Sequence, residues 1–137
     1  MRRVLGTLIV FVLAAPAGAG SEGKARKPRF DLRASPRVAF SPAYVLVTAE
    51  LTGGEELEEF YCPELMWEWD DGAKSGHGQD CPPFQPGTEL ERRFTADHAY
   101  RRAGVYNVRV RLMRGGRAVA VASTTITIRP GLGDPSQ

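Results

Sequence analysis

The chain lacks an apolar run long enough to cross a bilayer. Its longest apolar stretch, Val4 to Ala15, falls short of the roughly 20 residues a transmembrane helix needs. There is no Cys-x2–4-Cys pair, and the only histidines are His77 and His98, so the ligand spacing of a structural zinc site is missing. No Gly-x-Ser-x-Gly occurs, which removes the nucleophile elbow of the α/β-hydrolases. No cysteine follows the apolar run, which argues against a lipoprotein. No segment carries a convincing helical stripe of apolar residues. Charge imbalance is also small: 18 Lys and Arg against 16 Asp and Glu, a net +2. That is poor ground for nucleic-acid binding.

What is present begins with Met1-Arg2-Arg3, the apolar stretch and then Pro16-Ala17-Gly18-Ala19. A positive start, an apolar core and a small-x-small site are the parts of a secretory signal peptide. The expected organisation is a signal over 1–19 cleaved near Ala19, a flexible linker over 20–29, one β-domain over 30–129 and a disordered tail over 130–137. Arg2 and Arg3 leave with the signal, so the mature chain is near neutral. The expected location is secreted or periplasmic, with no stable membrane insertion after cleavage. Cys62 and Cys81 are the only cysteines, and in an exported chain an even, small count favours a disulfide.

The rest reads as strands. Val45, Val47, Ala49 and Leu51 alternate with Tyr44, Leu46, Thr48 and Glu50, the period of a half-buried strand. Phe30 to Ala34 is a short edge strand limited by Pro36. A strand within Phe60 to Asp70 starts near Cys62, and Leu90 to Phe94 is another. Ala96 to Tyr100 then leads towards a turn at Arg101–Gly104. Tyr106, Val108, Val110 and Leu112 alternate with Val105, Asn107, Arg109 and Arg111. Arg114-Gly115-Gly116-Arg117 is a hairpin signal, and Ala118 to Ile128 is the closing strand. About seven short strands with regular turns imply an all-β antiparallel sandwich or a small barrel. Residues 71–88 have turn-rich composition and no apolar periodicity, so they read as a long loop that a Cys62–Cys81 bridge would pin.

Trp67-Glu68-Trp69-Asp70-Asp71-Gly72 is the most distinctive stretch. Two tryptophans two apart share a strand face, and Asp-Asp-Gly is turn chemistry. Further on stand His98-Ala99-Tyr100 and then Gly104-Val105-Tyr106-Asn107-Val108. The second segment has the tyrosine-corner pattern of immunoglobulin-like sandwiches, with Val108 where those domains place a cysteine. Together the segments resemble the PKD (polycystic kidney disease) domain family. That family carries Trp-x-Phe-Gly-Asp-Gly, here with Trp69 for Phe and Asp70 for the first Gly, and a His-x-Tyr segment before Gly-x-Tyr-x-Val. The resemblance covers roughly Arg33 to Ile128. It implies an immunoglobulin-like β-sandwich in which Trp67, Trp69, Asp71, Gly72, His98, Tyr100, Gly104, Tyr106 and Val108 are structural. It also implies a non-catalytic module binding a protein or a polysaccharide, with no cofactor.

The candidate binding residues are then Lys74, His77, Gln79, Asp80 and Phe84, on the long loop, because loops on a rigid sandwich carry binding variation. A partly exposed Trp69 beside the Cys81 loop would be a stacking surface for sugar. The acidic run Glu55, Glu56, Glu58 and Glu59 reads as a solvated connection. Arg109 and Arg111 share an outward strand face and would blunt pairing if that strand is an edge. Asp70, Asp71 and Asp80 are oxygen donors of the calcium-binding kind, without the alternating positions of an EF-hand. Two alternatives stand beside the binding module: a small metal-dependent protein or enzyme using His77, His98 and the aspartates, and an accessory subunit of an envelope complex.

Overall fold

In the computed structural model, residues 25–133 are described. The signal peptide expected over 1–19 lies outside them. Eight strands form: β1 (Arg29–Ser35), β2 (Val38–Phe40), β3 (Ala43–Thr52), β4 (Glu64–Glu68), β5 (Lys74–His77), β6 (Arg93–Tyr100), β7 (Gly104–Arg114) and β8 (Arg117–Arg129). One sheet has the order β1-β3-β6 and the other β2-β8-β7-β4-β5. Every pairing is antiparallel except that of β2 with β8. The fold is an immunoglobulin-type β-sandwich.

The alternation read in the sequence supplies the core. Val45, Val47, Ala49 and Leu51 of β3 are buried and lie in the same apolar cluster as Val108, Val110 and Leu112 of β7 and Ile126 and Ile128 of β8. Phe94 and Tyr100 enter from β6, and Trp67 from β4. Val108 is fully buried, so apolar contact fills the position where a disulfide joins the sheets in antibody domains. Gly115 and Gly116 make the two-residue turn between β7 and β8, with Arg114 opposite Arg117.

Four features differ from the sequence reading, the first being β2, a three-residue strand over Val38–Phe40 that the sequence pattern does not mark. β6 runs from Arg93 through Tyr100, where the sequence pattern predicts a strand over Leu90–Phe94. Phe94, Ala96, His98 and Tyr100 all turn inward, and the histidine in that series masks the period. The long loop contains β5, a polar strand of Lys74-Ser75-Gly76-His77 held by pairing to β4 rather than by an apolar face. The stretch 25–29 is bonded to the domain where it is described: the Arg26 carbonyl accepts the Glu55 amide, Pro28 is buried and Arg29 opens β1.

The acidic run is more than a solvated connection. Glu56 accepts the Leu90 amide at 2.8 Å and pairs with Arg92 at 2.6 Å. The Arg92 bond, followed by the Leu90 amide, holds the Glu56 carboxyl below its ordinary range. β7 lies inside its sheet, so Arg109 and Arg111 guard no edge. They flank Glu68 at 3.9 and 3.6 Å instead.

Candidate functional site

The Trp67 stretch closes one end of the sandwich. Trp67 and Trp69 are both buried and stack with ring centroids 5.8 Å apart. Trp69 stacks in turn on His98 at 4.6 Å, and His98 meets Tyr100 edge-on at 4.8 Å. The polar atoms of this stack are bonded inward. The Trp69 indole N–H donates to Ser75 Oγ at 2.9 Å, and the Tyr100 hydroxyl donates to the Trp69 carbonyl at 2.8 Å. A buried Trp69 offers no surface to a sugar, which removes the stacking role set out for its exposed form.

Asp70 and Asp71 fix the turn that follows. Asp70 adopts φ +65°, the left-handed region, where the family motif has glycine. Its carboxylate accepts the Asn107 amide of β7 at 2.8 Å, a bond that a glycine there would lack. Asp71 Oδ1 accepts the Ala73 amide at 3.0 Å, and Oδ2 lies 2.6 Å from His98 Nε2. Partial burial pushes the Asp71 carboxyl up, but the His98 and Ala73 bonds outweigh it and hold it below its ordinary range. Burial, with the nearby Asp71 charge, pushes the Tyr100 hydroxyl up. Gly72 follows at φ +89°, a conformation side chains rarely adopt.

The tyrosine corner is formed. The Tyr106 hydroxyl donates to the Arg102 carbonyl at 2.8 Å, and its ring folds back over Gly104. A Cβ at Gly104 would come within 3.2 Å of that ring, so the glycine of Gly-x-Tyr makes room for the corner. His98, Asp71, Arg101, Arg102, Ala99 and Tyr106 line a cleft of about 440 Å³.

The second feature is the disulfide face. Cys62 and Cys81 are bridged. The Tyr61 hydroxyl donates to the Pro82 carbonyl at 2.6 Å, and Phe84 lies 5.3 Å from the Tyr61 ring. Arg114 approaches the other elements of this face, donating to the Glu58 carbonyl at 2.8 Å and to the Tyr61 carbonyl, with its guanidinium 5.9 Å from the Tyr61 ring. A cleft of about 350 Å³ runs over these residues, with Gln79 and Asp80 in its wall.

The candidate binding residues are therefore split. Gln79, Asp80 and Phe84 share the disulfide face, whereas Lys74 and His77 stand exposed on the edge strand β5. Gln79 also donates to Glu91 at 3.0 Å, which ties the two ends of the loop. His77 and His98 line different clefts. Among the described residues, no group of three or more His, Cys, Asp or Glu is placed to hold a metal ion. Tyr61 and Arg114 escaped the sequence reading. They are far apart in the chain, and no spacing motif joins them; only the cysteine beside Tyr61 hinted at that face.

No family model matches the chain, and no curated protein does. Several solved structures are similar. One is the PKD domain of an M14-like peptidase from Thermoplasmatales archaeon SCGC AB-540-F20, with 16% identity, 78% of this chain and 100% of that one covered, and a TM-score of 0.48. Another is the CARDB domain of a Pyrococcus furiosus protein in complex with di-metal ions, with 12% identity, 77% and 96% coverage and a TM-score of 0.47. A third is a superoxide reductase (neelaredoxin) from Ignicoccus hospitalis, with 13% identity, 78% and 83% coverage and a TM-score of 0.44. The chain is an immunoglobulin-type β-sandwich whose two motifs, joined across the sheets by Asp71 to His98 and by Tyr100 to the Trp69 carbonyl, resemble those of PKD domains.

Proposed function

We propose that this chain is an exported, non-catalytic binding module, and that its disulfide face carries the contact with a protein or polysaccharide partner. The observation behind this reading is the loop 78–91. It is almost wholly exposed, yet it is pinned by the disulfide, by Tyr61 to Pro82, by Gln79 to Glu91 and by Leu90 to Glu56. A long loop tied at this many points, with Leu90 its single residue in the core, presents a preorganised surface, which lowers the ordering cost of binding. The disulfide also fits an oxidising compartment, the setting that an export signal over residues 1–19 would give the chain.

The catalytic alternative has less support. The Asp71–His98 pair resembles part of a hydrolytic triad, but Asp71 is committed to the turn and His98 to the Trp69 stack. The test uses an Asp80→Ala, Phe84→Ala variant and measures its retention on isolated envelope polysaccharide and, separately, on envelope proteins. Loss of retention with the melting temperature largely kept supports the loop assignment. Retention equal to that of the parent chain overturns it.

A further inference from the structure

The cleft at the tyrosine corner shares no lining residue with the disulfide face, and the binding role assigned above makes no use of it. It measures about 440 Å³, within the range of pockets that hold compact ligands. Arg101 and Arg102, both exposed, project from the turn that carries the chain from β6 in one sheet to β7 in the other. Neither guanidinium has a hydrogen-bond or ion-pair partner among the described residues. Arg92, Arg93, Arg109, Arg111 and Arg114 are each bonded or paired, and other arginines without a side-chain partner among the described residues, such as Arg33, Arg37, Arg117 and Arg129, do not line this cleft.

The backbone beneath these two arginines is fixed, because the Tyr106 hydroxyl donates to the Arg102 carbonyl. The acidic group in the cleft wall, Asp71, has both carboxylate oxygens engaged, one by the Ala73 amide and one by His98. Its charge is thus partly satisfied before any ligand arrives. Ala99 and the Tyr106 ring add an apolar wall. Two guanidinium forks beside such a wall match the geometry of a carboxylate or phosphate group. We propose that this cleft binds a compact ligand through a carboxylate- or phosphate-type oxyanion held by Arg101 and Arg102.

The experiment is an amide-resolved NMR titration of the purified chain with inorganic phosphate, with glucuronate and with glucose, at constant ionic strength. Constant ionic strength separates a site from general screening. Saturable shifts at Ala99, Arg101, Arg102 and Tyr106 are expected with an oxyanion and not with glucose. A response to phosphate alone identifies phosphate esters as the source, and a response to glucuronate alone identifies acidic sugars; either supports the site. An Arg101→Gln, Arg102→Gln variant should weaken binding by roughly tenfold or more, the scale of losing charge-assisted hydrogen bonds. Its melting temperature should stay near the parent value, because both side chains lie on an exposed turn. An Arg117→Gln control, on the exposed β7–β8 hairpin, should bind as the parent does. Absence of saturable shifts with both oxyanions, equal shifts with glucose, or binding that survives the double arginine change would overturn the proposal. So would an equal loss in the Arg117→Gln control.

Discussion

Asp70 joins two opposing effects in one residue. A non-glycine side chain at φ +65° is strained by about 1 kcal/mol or more, while its bond to the Asn107 amide returns a similar amount. Asp70→Gly is therefore expected to leave stability nearly unchanged, since strain and bond are lost together. Asp70→Ala should destabilise by about 1–2 kcal/mol, because the strain stays and the bond goes. Denaturant midpoints of the two variants check this ordering. Asp71 gives a pH signature. Its folded carboxyl sits below its ordinary value, so the stability it contributes is present above that value and is lost as pH falls from about 4. Asp71→Asn should lower stability at neutral pH by about 1 kcal/mol, allowing for partial exposure. It should also flatten the acid limb of a melting-temperature profile. Trp69→Ala is the severe change: removing a buried aromatic from the Trp67–Trp69–His98 stack should cost about 3–5 kcal/mol.

At the scale of elements, the bridge and its loop form a unit. Cys62 and Cys81 are separated by 19 residues, and opening a loop of that size should cost about 3 kcal/mol in the chain-entropy model. A Cys62→Ser, Cys81→Ser variant should melt earlier, and amide exchange should rise first over 78–91. What the sequence made legible at this scale is the apolar alternation. β3 and β7, each with a clear inward set, were readable, as were the existence of β8 and the Gly115-Gly116 hairpin; the inward set of β8 was not, because apolar Val121 faces out while Ala122, Ile126 and Ile128 are buried. β5 was not, because a Lys-Ser-Gly-His strand is held by backbone pairing and carries no apolar period. The true length of β6 was hidden by His98, which points inward as a stacking partner while counting as polar in any pattern. Cys62 and Cys81 marked where the loop is pinned, but the packing of Tyr61, Phe84 and Arg114 around it is a product of the tertiary fold.

At the scale of the molecule, the two motifs that resemble the PKD family serve one purpose. Within one sheet, Asp70 bonds the turn after β4 to Asn107 of the neighbouring β7, and across the sheets Asp71 meets His98 and the Tyr100 hydroxyl reaches the Trp69 carbonyl. The sandwich is thereby closed at one end by aromatic stacking and short hydrogen bonds. The pinned loop 78–91 and the two-arginine cleft are left as separate surfaces. With no group of metal ligands among the described residues, excess chelator should leave the melting temperature unchanged, and a measurable drop would bring the metal-dependent alternative forward. The central claim is that the pinned loop binds. Its most direct measurement is retention of the purified chain on isolated envelope polysaccharide and on envelope proteins, run in parallel with the Asp80→Ala, Phe84→Ala variant. The expected result is retention on one of the two supports by the parent chain alone, at similar melting temperatures. Equal retention of parent and variant, or retention of neither, would contradict it.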